Sequence, residues 1–161
     1  MFSCFFLACD CNSNGSNGTA CSNSGQCTCK DHIEGQQCDH CKDNFFGFPS
    51  CQPCECHKGG SNGLDCNAKG ICLCNKNVEG DKCTKCKTGY QGHPSCDKCN
   101  STFFGYPDCQ ECNCHINGSS SQQCDQTSGN CTCLSNFTGP KCDRCADGYF
   151  NFPNCTGTKN K

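Results

Sequence analysis

The chain has 161 residues, ordinarily enough for one domain or at most two, yet 27 are cysteine and only eight are valine, isoleucine or leucine. That excludes a large aliphatic core, and without its cysteines so polar a chain would stay disordered, because it buries too little apolar surface to offset conformational entropy. The formal net charge is −2 with no long run of either sign, which excludes the electrostatic footprint of a nucleic-acid or anionic-membrane binder.

From the N-terminus, residues 1–8 form an apolar stub, read either as a remnant of a secretory signal or as a gene-model artefact, and Cys4 within it is the odd thiol. No stretch approaches the 18 or more apolar residues of a spanning helix, so no membrane span is expected. An eight-cysteine pattern then opens: Cys9, Cys11, Cys21, Cys27, Cys29, Cys38, Cys41 and Cys51, bounding residues 9–51. Residues 54–96 repeat it with the same gaps at Cys54, Cys56, Cys66, Cys72, Cys74, Cys83, Cys86 and Cys96. A third run, residues 112–155, has one extra residue between its third and fourth cysteines: Cys112, Cys114, Cys124, Cys131, Cys133, Cys142, Cys145 and Cys155. Between the second and third runs, Cys99 and Cys109 repeat only the last spacing of a full run, and residues 99–109 are read as a partial unit, either genuine or an error of gene prediction. Residues 156–161 are a tail.

Glycines and turn dipeptides dominate every run, which predicts tight turns and scraps of two-stranded sheet with almost no helix. Asn14-Gly15, Asn17-Gly18, Gly59-Gly60, Asn62-Gly63 and Asn117-Gly118 all fall between the second and third cysteines, so that loop is expected to be a mobile, exposed turn. Only Gln52-Pro53, Asp97-Lys98 and Gln110-Glu111 separate the runs, and joints this short predict a stiff rod. An isolated loop at 99–109, with no neighbouring loop to pack on, would act as a kink. Acceptor motifs for N-glycosylation stand at Asn14, Asn17, Asn100, Asn117 and Asn136, and those at Asn130 and Asn154 have a cysteine in the middle that makes them poor acceptors once bonded. Acceptors and abundant cysteine together point to the secretory route, where disulfides persist.

The pattern C-x-C, a loop, C, a loop, G-x-C-x-C, then Gly-x-x-Cys-x-x-Cys, nine residues and Cys resembles the laminin-type EGF-like module. Gly25-Gln-Cys27-Thr-Cys29, Gly70-Ile-Cys72-Leu-Cys74 and Gly129-Asn-Cys131-Thr-Cys133 carry the central part. Ile33-Glu-Gly35-Gln-Gln-Cys38, Val78-Glu-Gly80-Asp-Lys-Cys83 and Phe137-Thr-Gly139-Pro-Lys-Cys142 carry the third loop. The short last loop ending in Phe-Pro-x-Cys is similar to that of laminin α short arms. Sequence alone leaves 105 pairings for eight cysteines. The resemblance implies first to third, second to fourth, fifth to sixth and seventh to eighth in each run, with Cys99 to Cys109 alone. A bridge over a loop of this size contributes about 3 kcal/mol, so thirteen would stand in for the missing core.

Other chemistries fit less well. Zinc wants four ligands in two close pairs, whereas His32, His40, His57, His93 and His115 are taken to fall at unrelated places in the repeat. Calcium-binding EGF modules carry an acidic cluster before their first cysteine, and Gln52-Pro53 and Gln110-Glu111 supply none. No nucleophile, base or carboxylate pair recurs as a constellation, so no catalytic residue, cofactor site or metal site is assigned and the chain is read as a non-enzyme. Phe45, Tyr90, Phe103 and Tyr149, with Phe48, Tyr106 and Phe152, are read as packing groups over the last disulfide and the following joint rather than as a binding stripe. The heptapeptide Asn-Ile-Asp-Pro-Asn-Ala-Val, through which a laminin γ module binds nidogen, does not occur.

The resemblance implies a small disulfide-rich fold of tandem modules forming an elongated rod. It implies an extracellular glycoprotein of matrix or basement membrane, a structural spacer whose partners are other matrix or cell-surface proteins. The alternative is a secreted netrin-like ligand that binds a receptor through module loops. An exposed apolar patch on one module would favour the ligand and uniformly polar faces the spacer.

Overall fold

The computed structural model describes residues 9–157; Cys4 with the rest of the stub, and residues 158–161 of the tail, lie outside the described residues. Each full repeat is built from short hairpins, and both strands of its first hairpin end at a cysteine. Ser16–Cys21 pairs antiparallel with Cys27–Cys29, Ser61–Cys66 with Cys72–Cys74, and Ser119–Cys124 with Cys131–Cys133. In all three the register breaks between the two ends, because six residues face three and the surplus must bulge. A second, two-residue hairpin joins Ile33–Glu34 to His40–Cys41, Val78–Glu79 to Lys85–Cys86, and Phe137–Thr138 to Arg144–Cys145. Every sheet among the described residues is two-stranded, and none of them is helical.

The last loop of each run closes as a third hairpin. Phe45–Phe46 pairs with Gln52–Pro53, and Phe103–Phe104 with Gln110–Glu111, so these two-residue linkers are strands rather than free joints. After the second run the pairing is Tyr90–Gln91 with Lys98–Cys99. In the third, Phe150 and Thr156 form an isolated bridge.

The bridges are Cys9–Cys21, Cys11–Cys27, Cys29–Cys38 and Cys41–Cys51 in the first run. In the second they are Cys54–Cys66, Cys56–Cys72, Cys74–Cys83 and Cys86–Cys96. Cys99–Cys109 stands alone, followed by Cys112–Cys124, Cys114–Cys131, Cys133–Cys142 and Cys145–Cys155. Half-cystines are the core. Around Cys27, Cys38 and Cys51 the one buried aliphatic is Ile33, with Phe45 and Phe48 packed on the outside; Val78 takes the place of Ile33 in the second run. Burying sulfur with a single aliphatic in each of the first two runs, and with the half-buried Phe137 at that position in the third, suffices only because the covalent links have already removed most of the unfolded chain's freedom.

Two compact units are present. One holds the described chain up to Asn75 together with Gly80–Thr84; the other holds Lys76–Glu79 and the described chain from Lys85 onwards.

Candidate interaction surface and the joints between repeats

The loop between second and third cysteines is not wholly the exposed turn its Asn-Gly pairs predict. Its tip is exposed, but Gly15 and Ser16 are buried, as are Gly60 and Ser61, and Gly118 and Ser119. The serine hydroxyl explains the fold: Ser16 Oγ donates to Asn12 O at 2.6 Å, Ser61 Oγ to His57 O at 2.7 Å and Ser119 Oγ to His115 O at 2.6 Å. In the first two runs the residue after the second cysteine caps the same turn with its side chain. Asn12 Oδ1 accepts from Asn14 N at 2.9 Å, and His57 Nδ1 accepts from Gly60 N at 3.1 Å. His57 and His115 therefore hold one equivalent position, and treating all five histidines as unrelated is incorrect; His57 caps its turn through Nδ1, whereas the Nδ1 of His115 is buried without a hydrogen-bond partner among the described residues. Among the described residues no group of three or more His, Cys, Asp or Glu is placed to hold a metal ion.

In the first unit, the hairpin ending the first run reaches the second run through Phe46. Gly70 has φ +76°, which favours glycine, and a Cβ there would fall on the Phe46 ring. Lys82 closes the contact from above, its Nζ 5.4 Å from the ring centroid and donating to Cys54 O at 2.6 Å and Gly70 O at 2.9 Å. Asn44 N donates to Asp65 Oδ1 at 2.8 Å alongside.

The second unit repeats this arrangement with the extra loop as donor. Phe104 lies where a Cβ on Gly129 (φ +72°) would sit, and Lys141 Nζ stands 4.8 Å above the ring while donating to Gly129 O at 3.0 Å. Gln126 Nε2 donates to Phe103 O at 2.8 Å, and Gly105 N to Gln126 O at 3.0 Å. On its other side the loop meets the hairpin ending the second run: Tyr90 Oη donates to Pro107 O at 3.0 Å, and Phe103 covers Gly89. The expectation of a loop without neighbours is thus corrected, because residues 99–109 supply both halves of a joint.

The aromatic positions divide. Phe45 stacks on His32 at 4.2 Å between centroids, and Phe48 packs on the core cluster, as packing groups should. Tyr106 and Phe152 are exposed, although Phe152 keeps a tilted contact with His115. Sequence reading missed a different patch. Leu64, Ile71 and Leu73 are 45%, 40% and 65% exposed on the first hairpin of the second run. Equivalent positions hold Thr19, Gln26 and Thr28 in the first run and Gln122, Asn130 and Thr132 in the third.

The acceptor asparagines also fall into different settings. Asn14, Asn17 and Asn117 are exposed on the first loop; Asn100 and Asn136 are half-buried. Two carboxylates are held below the usual range: Asp125 mainly by the Ser128 and Thr127 N–H groups and the Ser128 hydroxyl, and Asp39 mainly by the neighbouring His40.

The laminin EGF domain family profile matches residues 9–53, 54–95 and 112–160, most of the chain. Laminin subunit alpha-3 of Homo sapiens is 42% identical over 48 residues, 29% of this chain and 1% of that protein. Usherin of Homo sapiens is 45% identical over 53 residues, again 29% of this chain and 1% of its own length. The basement membrane-specific heparan sulfate proteoglycan core protein of Mus musculus is 38% identical over 47 residues, with the same shares. The chain thus spans about a hundredth of each of these relatives, and similarity of this kind does not single out the laminin α subunits.

Proposed function

The chain belongs to the laminin EGF domain family, and from that premise we propose that it is a structural module array of an extracellular-matrix, basement-membrane or cell-adhesion protein, working as a stiff spacer. The modules are residues 9–51, 54–96 and 112–155, with 99–109 a partial module that joins its neighbours. The observation that carries the reading is the repeated clamp, Phe46 between Gly70 and Lys82 and Phe104 between Gly129 and Lys141, which opposes bending where each of these loops meets the next module. Other matrix or cell-surface proteins are its partners. Small-angle X-ray scattering of the full chain tests the role: a spacer gives an elongated profile that Phe46→Ala with Phe104→Ala shortens, while a compact profile overturns it.

One observation favours a second reading, a secreted ligand that binds a cell-surface receptor: the exposed Leu64, Ile71 and Leu73 on a single module. If the chain acts that way, Leu73→Ser abolishes binding to receptor-bearing cells and leaves the scattering profile unchanged.

A further inference from the structure

Of the five acceptor motifs whose middle residue is not cysteine, the fold uses some asparagines and leaves others unengaged. Asn14 and Asn117 occupy the same place in the first and third modules, exposed at the tip of the turn that Asn12 and His115 begin, and neither side chain makes a hydrogen bond among the described residues. Asn17 is exposed on the same turn, with Nδ2 donating once to Cys29 O at 3.1 Å. Asn136 differs. Its Nδ2 donates to Cys155 O at 3.3 Å, in the slot that Asn77, only 7% exposed, fills in the second module by donating to Cys96 O. Asn100 is half-buried in the joint; its Oδ1 accepts from Thr102 N and Thr102 Oγ1, both at 2.9 Å, and its carbonyl faces Gln126. The second module has no acceptor motif at all, and Gly59 stands where Asn14 and Asn117 stand.

We infer that N-linked glycans are carried on the first-loop turns of the first and third modules, at Asn14 (with Asn17 a second acceptor on that turn) and at Asn117, and that Asn100 and Asn136 stay bare. The inference rests on the secretory route proposed above. In the transfer, the asparagine Nδ2 bonds to the anomeric carbon of a lipid-pyrophosphate-linked oligosaccharide as the bond from that carbon to the pyrophosphate oxygen breaks; Nδ2 keeps one hydrogen and gives up the other as a proton. Transfer precedes folding, so the fold acts as a filter. A sugar on Asn14 or Asn117 projects into solvent and displaces nothing. A sugar on Asn136 would have to share the slot beneath Cys155, and one on Asn100 would wedge the joint where Phe103 and Gln126 meet, so chains carrying either fail to close. The outcome is two sugared turns flanking a module without sugar, the one that exposes Leu64, Ile71 and Leu73.

The test is to express the full chain behind a secretion leader in animal cells and collect the secreted, fully disulfide-bonded product. Enzymatic deglycosylation in heavy-oxygen water then marks each former glycan site as labelled aspartate for peptide mass spectrometry, counted only above a parallel sample kept without the enzyme, because Asn14, Asn17 and Asn117 each precede glycine and deamidate unaided. The expected result is label at Asn117 and on the peptide containing Asn14 and Asn17, none at Asn100 or Asn136, and at least two steps of gel mobility, three where Asn14 and Asn17 are both occupied, lost when Asn117→Gln is combined with Asn14→Gln and Asn17→Gln. Label at Asn100 or Asn136 in the secreted, fully bonded product, or either exposed turn left bare, overturns the inference. Absence of the chain from the medium with both turns labelled inside the cell counts against the secreted role and leaves the glycan assignment standing.

Discussion

The hairpins that end the first run and the extra loop, and the hairpin that ends the second run, share one cysteine spacing and differ by a single residue in register. Phe45–Phe46 and Phe103–Phe104 pair with the two residues between consecutive runs, whereas Tyr90–Gln91 pairs one residue further on, with Lys98–Cys99. A one-residue slip changes which side chain faces which surface. In the first arrangement the second aromatic slides over a glycine of the following module and under its lysine. In the second, Gln91 folds back so that its Nε2 donates to Cys99 O at 2.7 Å, and the contact forward is made by the Tyr90 hydroxyl. The second position of the aromatic pair therefore matches what comes next: phenylalanine before a full module with its glycine turn, glutamine before a loop that lacks one.

The sharpest way to break the comparison is to fill the glycine. Gly129→Ala places a methyl group in the Phe104 ring and strains φ, and is expected to cost about 3 kcal/mol of joint stability. Gly148→Ala has a similar positive φ but open space around it, so about 1 kcal/mol is expected and the difference isolates the ring contact. Native-state hydrogen exchange at the Gly129 and Cys131 amides, which donate to Asp125 O and Pro140 O, reads the first substitution. Removing the ring instead, Phe46→Ala costs about 2 kcal/mol, less than a full core deletion because Phe46 is half-buried, while Gln91→Ala leaves the second module's exchange within about 0.5 kcal/mol.

The lysine carries less. Lys82→Met keeps the aliphatic stem but strips hydrogen bonds from Cys54 O and Gly70 O, and about 1 kcal/mol is expected in the exchange of the Cys72 amide. Smaller again, Tyr90→Phe removes one exposed hydrogen bond to Pro107 O, about 0.5 kcal/mol in the exchange of the Asn100 amide.

The smallest effect is one of acidity. Ser22, Asn67 and Asp125 hold equivalent turns in the three modules, and only Asp125 titrates. Its folded pKa is lowered, so its contribution is present above the ordinary carboxylate pKa and is lost as pH falls through the lower folded value. Acidification should lower the protection of the Thr127 and Ser128 amides, taken relative to the intrinsic exchange rate at each pH, without changing it in the equivalent turn at Asn67, and Asp125→Asn should abolish that pH dependence.

Much of this was legible beforehand for a simple reason: cysteine spacing and turn glycines are local, and short hairpins follow from them. Pairing was not, since spacing alone leaves many solutions and only the family resemblance supplies one. The joints were invisible for another reason. Gly70 and Gly129 look like any turn glycine in a glycine-rich chain, and Lys82 and Lys141 look like solvated charges; their meaning lies in a ring brought from the preceding run. The one available signal was the contrast of Phe46 and Phe104 with Gln91 in otherwise aligned loops. Likewise the Asn-Gly dipeptides marked the first loop as a turn without revealing that the serine two residues on from Asn14 and Asn117 is drawn inward.

The order of the bridges also sets how far the chain can be drawn out under tension. Force entering at Cys9 runs to Cys11, crosses to Cys27, passes to Cys29, crosses to Cys38, passes to Cys41, crosses to Cys51 and continues to Cys54. Only ten backbone steps lie on that path, with three crossings whose Cα–Cα spans are 5.7, 5.2 and 5.5 Å. The taut contour of the first module is thus roughly 50 Å, against roughly 150 Å for the same 45 residues with their bridges reduced. Pulled from its ends in oxidising surroundings, the array would pay out little length before the load fell on covalent bonds, a tether of nearly fixed reach that a reductant would convert into a long, slack one.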